Sequence, residues 1–366
     1  MLDRLTTTLY RIDWMLLGAT LLLVAIGLAA LFSITLNVEQ PRIEKFYRQL
    51  ISFGIGIAFL IGMMSLNYRQ VRSSSWFLYA IGLGLLVAVL VFGTTLRGTK
   101  GWFSFFGSTF QPVELVKVLI VVALARYLAD HIGEGMSWKV VGRSGLIILP
   151  AVVLVIAQRD LGSAVIFFPL WLGLLGFLRL PMRKLGLMLM GILLIAALSW
   201  WSLKDYQRDR ILTFLDPGRD PLRSGYNVRQ AIVAIGSGQL LGRGLGLGTQ
   251  SQLNFLPTQD TDFIFAVIAE ELGFIGVIIL LSLLGTFLWR FVHALRTVRD
   301  AFGVLLLAGL LILFATEIIL NIGGNIGLVP LTGTPLPFLS YGGSALVMSL
   351  VAVGLAESVI ASSAIR

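Results

Sequence analysis

Residues 16–32 read Leu16-Leu17-Gly18-Ala19-Thr20-Leu21-Leu22-Leu23-Val24-Ala25-Ile26-Gly27-Leu28-Ala29-Ala30-Leu31-Phe32, a run with no charge and a single hydroxyl. It has neither the alternation of a half-buried strand nor the polar face of a surface helix. It lies in an apolar segment, 13–36, long enough as a helix to cross the roughly 30 Å hydrocarbon core of a bilayer. Backbone groups in lipid must be satisfied within the segment, which selects a helix. Nine further apolar segments follow, at 49–67, 76–94, 112–129, 144–158, 163–178, 185–203, 263–289, 302–324 and 343–361. They are too long and too evenly apolar for the strands of a membrane barrel. The expected fold is all-α: one polytopic membrane domain over 1–366, with about ten transmembrane helices and a long extracytoplasmic loop at about 204–262.

Composition agrees. Of 366 residues, 57% are hydrophobic and 13% charged, with a mean hydropathy of +0.90. A soluble domain carries about 25% charged residues, so a water-soluble globule is excluded, and disorder with it. There is no cysteine, hence no disulfide framework and no thiolate metal site. The two histidines, His131 and His293, are far apart in sequence and do not suggest a zinc centre. The net charge of +9 comes from small basic clusters between apolar runs, which orients a membrane protein and is no nucleic-acid stripe. The first apolar run lacks a small-residue cleavage site and does not read as a signal peptide.

With the N-terminus inside, the cytoplasmic loops and termini hold fourteen Lys and Arg and the short outer loops six. The long loop, with seven basic residues and six Asp, weighs little. Both termini are therefore expected in the cytoplasm. The long loop is not low-complexity, and is expected to fold over the membrane surface.

Ionisable groups within or beside spans are costly and point to function. They are Glu114, Lys117, Asp160, Asp262, Glu270, Glu271, Glu317 and Glu357. Glu114 and Lys117 share a helix face, as a neutral ion pair or as the floor of a cavity. Asp160, between two short runs, is a helix cap or a cavity-lining carboxylate. Asp262 ends the long loop, where it is an N-cap or a base of raised pKa. Glu270 and Glu271, deeper in the same helix, read as structural hydrogen-bonding groups. The glycine-rich run Gly236 to Gly248 follows no βαβ pattern, so it is no dinucleotide fingerprint. It suits a surface loop or a backbone cradle for a phosphate.

Several stretches, taken in order, resemble the SEDS family (shape, elongation, division and sporulation), the RodA and FtsW type of integral-membrane peptidoglycan glycosyltransferase. They are Gly98-Thr99-Lys100-Gly101-Trp102-Phe103 with Gln111-Pro112-Val113-Glu114-Leu115-Val116-Lys117; Gln158-Arg159-Asp160-Leu161-Gly162; Tyr206-Gln207-Arg208-Asp209-Arg210; Gly225-Tyr226-Asn227 with Gln230; Thr261-Asp262-Phe263; and Pro335-Leu336-Pro337-Phe338-Leu339-Ser340-Tyr341-Gly342-Gly343-Ser344. Ile12-Asp13-Trp14 and the Ser340 stretch look closer to the RodA type. Arg159, Asp260, Thr258 and Gly324 stand where the family usually has Pro, His, Glu and Met.

The resemblance implies a transferase that polymerises lipid II for cell-wall elongation and cell shape at the bacterial cytoplasmic membrane. Undecaprenyl diphosphate is the leaving group. It assigns the essential carboxylate to Asp262, and substrate contacts to Trp102, Glu114, Lys117, Asp160, Gln230 and Ser340. Lys117, Arg210 and Arg243 are candidates to meet the diphosphate, with a divalent cation, Mg²⁺ or Mn²⁺, on Asp262 as a further expectation and no organic cofactor. A class B penicillin-binding protein is the implied partner, with membrane lipids around the chain and no nucleic acid. A lipid II flippase is the competing class. However, no internal repeat is evident, and the polar residues gather at one side. A non-catalytic scaffold would leave those residues without a role.

Overall fold

The computed structural model describes residues 12–35, 43–96, 98–105, 108–198, 201, 208, 212–214, 216, 224–253, 255–256 and 258–363. Ten long helices correspond to the ten apolar segments: α1 Trp14–Thr35, α2 Ile43–Ser65, α3 Tyr68–Phe92, α4 Pro112–Asp130, α5 Trp138–Ala157, α6 Leu161–Phe177, α7 Met182–Leu198, α10 Ile264–Thr297, α11 Ala301–Asn325 and α12 Gly343–Ser363. Two more, α8 Ser224–Ser237 and α9 Thr249–Gln252, lie in the long loop. Seven of the described helices are long and apolar enough to span a membrane: α1, α2, α3, α5, α10, α11 and α12. Helices α6 and α7 have 17 residues each, about 26 Å of rise, at the lower end of the length that spans a bilayer. Helix α4 carries Glu114, Lys117 and Arg126, and it is buried on nearly every side by α3, α5, α6, α11 and α12. It is the axis of the bundle. Helices α2 and α3 turn Ile51, Phe59 and Phe77 outward, where lipid would meet them.

Local chemistry starts the helices. Asn67 accepts from Arg69 N, Ser137 from Val140 N, Asp160 from Ser163 N and Asp300 from Gly303 N, each capping α3, α5, α6 or α11. Pro112 opens α4, where its missing N–H costs nothing. The all-α expectation needs one addition. Residues between α3 and α4 form a three-stranded antiparallel sheet, β1 Thr94–Leu96, β2 Thr99–Phe105 and β3 Ser108–Phe110. Phe103 pairs with Phe110, and Gly98 turns β1 into β2 with a φ of 83°. These strands lie outside the spans, where β-branched and aromatic residues are free to pair.

The upper end of the bundle is taken as the end where α4, α6, α10 and α12 begin. Helix α10 breaks there. Gly273 has φ 66° and ψ −166°, which separates a short first limb from the long second one. The glycine-rich loop fills the break. Arg243 N donates to Glu270 O, Gly244 N to Glu271 O, Phe274 N to Gln239 O and Ile275 N to Leu240 O. At the lower end Arg290 of α10 bonds Asp13, whose own N–H donates to the buried Glu357 of α12.

Candidate active site

A cavity of about 330 Å³ opens at the upper end, walled by the starts of α4, α6 and α12 and by the turn before α10. Trp102, Glu114, Asp160 and Asp262 line it together, as expected. Arg159 lines it as well, on a tight turn in which its own φ is 64°. Asp160 has both of the roles that were open for it. It faces the cavity, and its oxygens take Ser163 N at 3.0 Å, Ser163 Oγ at 2.7 Å and Gln111 Nε2 at 3.2 Å.

Asp262 does not cap α10. The N-cap is Phe263, with no side-chain cap bond. Asp262 instead lies in a turn closed by its N–H to Thr258 O, with Thr258 Oγ1 3.4 Å from its carboxylate. That turn is held from three directions. Asn321 and Asn325, one turn apart on α11, donate to Asp262 O at 3.2 and 2.8 Å. Ser340 Oγ donates to Thr261 O at 2.6 Å, and Lys45 of α2 bonds Asp260. Gln49, also on α2, donates to Ser340 O and accepts from Gly342 N. Ser340 therefore braces the turn and is buried away from the cavity lining, contrary to the substrate contact expected of it.

Beneath the cavity floor Lys117 Nζ is 2.9 Å from Glu114 and 2.5 Å from Glu317 of α11. The expected pair is a triad of one lysine and two carboxylates. Lys117 is 2% exposed and engaged by two carboxylates, so it supplies no direct contact for a diphosphate. Arg243 is exposed, with Nε on Ser237 O, and lines no wall of this cavity. Gln230 on α8 is half-buried and does not line it either. Arg210 falls outside the described residues. The glycine-rich loop spends the N–H groups of Arg243, Gly244 and Gly246 on Glu270 O, Glu271 O and Glu271 Oε1, so these three are not free to cradle a phosphate. Glu270 accepts from Gln250 N and Ser251 N, the structural role expected of it.

Sequence reasoning missed Arg159 as a site cation, Asn321 and Asn325 as clamps, and Glu317 as the third member of the triad. The only signal for the asparagines was polarity repeated one turn apart near the end of an apolar run.

A family model of the cell cycle proteins FtsW, RodA and SpoVE matches residues 12–364. The chain is 34% identical to the peptidoglycan glycosyltransferase MrdB of Escherichia coli K12, over 94% of this chain and 93% of that one. It is 36% identical to a probable peptidoglycan glycosyltransferase FtsW of Thiomicrospira cyclica, over 94% and 90%. Among solved structures it is similar to a chain of a peptidoglycan synthase complex that coordinates polymerisation and crosslinking. There the TM-score is 0.83 and the identity 32%, covering 96% of this chain and 98% of that one.

Proposed function

Because the chain belongs to the FtsW, RodA and SpoVE family and is a peptidoglycan glycosyltransferase, we propose that it joins lipid II units with Asp262 as the general base. The carrying observation is the position of Asp262: its carboxylate lines the cavity, it caps no helix, and its backbone is clamped by α11. In the reaction the acceptor 4-hydroxyl oxygen attacks the donor sugar's C1. The C1–O bond to the diphosphate breaks, and its electron pair leaves with undecaprenyl diphosphate. The 4-hydroxyl proton passes to the Asp262 carboxylate, and one displacement turns the α-linkage into β. Base catalysis of this kind contributes roughly 10²–10⁴-fold. Arg159 and the N–H ends of α4, α6 and α12 supply positive potential for the leaving diphosphate.

Among the described residues no three His, Cys, Asp or Glu side chains gather as a metal centre. A Mg²⁺ or Mn²⁺ ion is proposed only as the diphosphate's counter-ion, with Asp262 as protein ligand, and no step above depends on it. The proposal extends to elongation of the wall and cell shape, at the cytoplasmic membrane, with both termini inside. A class B penicillin-binding protein would crosslink the product. The synthase complex that resembles this chain supports that partner.

The test is purified protein with lipid II, glycan chains being read on a gel. Asp262→Asn keeps the side chain's size but cannot take the proton. Polymerisation should fall by at least about 10²-fold with the thermal midpoint unchanged. Near-wild-type polymerisation would remove Asp262 from the chemistry.

A further inference from the structure

Two cavities meet at Asp262. The second, about 220 Å³, lies between α8 and residues 326–333, and among the described residues shares with the first only Asp262 and Gly333. Gly333 has φ 75°, and a Cβ there would stand 3.9 Å from Asp262 Oδ2, so the bare glycine keeps the boundary between the cavities thin.

The two cavities are lined differently. The first sets Arg159 and three helix N-termini, each carrying about half a positive charge, around the carboxylates Glu114, Asp160 and Asp262. The second takes the carbonyl end of α11 at Ile326, where the helix dipole is negative. Its other walls bring the Asn227 amide, the Thr213 and Thr258 hydroxyls and the Phe214 ring. The Asn227 side chain makes no hydrogen bond among the described residues. A few placed amide and hydroxyl groups on an apolar wall recognise a neutral, hydroxyl-rich ligand rather than a diphosphate.

Glycan polymerisation needs two such sites around one base. The donor's reacting carbon bears the diphosphate. The acceptor's reacting hydroxyl is on an uncharged N-acetylglucosamine, a disaccharide away from its own diphosphate. Resting on the glycosyltransfer reading above, we propose that the second cavity is the acceptor subsite. It holds the terminal N-acetylglucosamine through Asn227, with the 4-hydroxyl directed past Gly333 to Asp262, while the first cavity holds the donor sugar and its diphosphate.

The two roles separate with two probes. Lipid II lacking the terminal 4-hydroxyl can only donate. A 1-O-methyl disaccharide pentapeptide, which has no leaving group, can only accept. Coupling of the two is measured for wild type, Asn227→Ala, Arg159→Ala and Ile232→Trp, the last narrowing the second cavity from a half-exposed position. Asn227→Ala and Ile232→Trp should raise the acceptor KM about tenfold and leave the donor KM within twofold. Arg159→Ala should do the reverse. A rise in donor KM for the Asn227 and Ile232 variants, or no change in either KM, overturns the assignment while leaving the enzyme reading intact. Absence of any coupling by wild type would instead strike the glycosyltransfer reading, and this assignment with it.

Discussion

Lys117 faces two carboxylates at 2.9 and 2.5 Å with almost no water around it. Each member of such a triad answers for the others. Lys117→Ala leaves Glu114 and Glu317 buried together without a cation, and a break of this kind costs about 3–5 kcal/mol. Adding Glu317→Gln to Lys117→Ala should recover part of that loss, since it removes one stranded charge. Thermal unfolding in detergent of the singles and the double measures the coupling, and strict additivity would mean the triad is not one unit. Half of this arrangement was legible in the sequence, because Glu114 and Lys117 lie three apart on one helix. Glu317 was not, because its distance of 200 residues from Lys117 leaves no local trace. Asp262 was legible as a carboxylate at a span boundary. Whether it caps α10 was not, since that depends on which residue takes the N-cap geometry, and Phe263 does.

At the scale of the element, the break in α10 is a joint made by two glycines. A Cβ on Gly273 would stand 2.2 Å from Gly242 N, and one on Gly242 would stand 2.1 Å from Glu271 O. Both residues also have positive φ, at 66° and 82°. Gly273→Ala should therefore lower stability by about 1–3 kcal/mol from backbone strain, plus the cost of the clash. Around Gly285, in the same helix, a Cβ would meet nothing within 4 Å, so Gly285→Ala should be neutral or gain roughly 0.5–1 kcal/mol. Thermal midpoints of the two variants compare the sites directly, and equal effects would deny the joint. From the sequence the glycine-rich run was readable as a loop, but its docking on α10 was not. Helix starts were also hidden where the first turns are polar. Helix α2 begins at Ile43, before Glu44, Lys45 and Arg48, six residues ahead of its apolar run at 49–67. The strands of 94–110 were missed because β1 and β3, at three residues each, carry no period, and β2, Thr99-Lys100-Gly101-Trp102-Phe103-Ser104-Phe105, does not alternate cleanly.

For the whole molecule, ten apolar runs became ten helices, because in lipid the backbone leaves no alternative for runs of that length. Orientation is a separate matter, proposed from the fourteen Lys and Arg of the loops assigned to the inner side against six in those assigned to the outer. A reporter active only in the cytoplasm should give signal when fused after Arg366 and none when inserted within 215–225. The opposite pattern would invert the molecule and put Asp262 on the wrong side for an exported substrate. The central place of α4 carries a further consequence, for the order of synthesis. Glu317 is made 200 residues after Lys117, and ribosomes add about 5–20 residues per second, so the interval is roughly 10–40 s. During it Lys117 has Glu114, one turn away on its own helix, as its near counter-charge. The local pair thus serves the nascent chain first and is kept in the finished fold, where Glu317 joins it once α11 arrives.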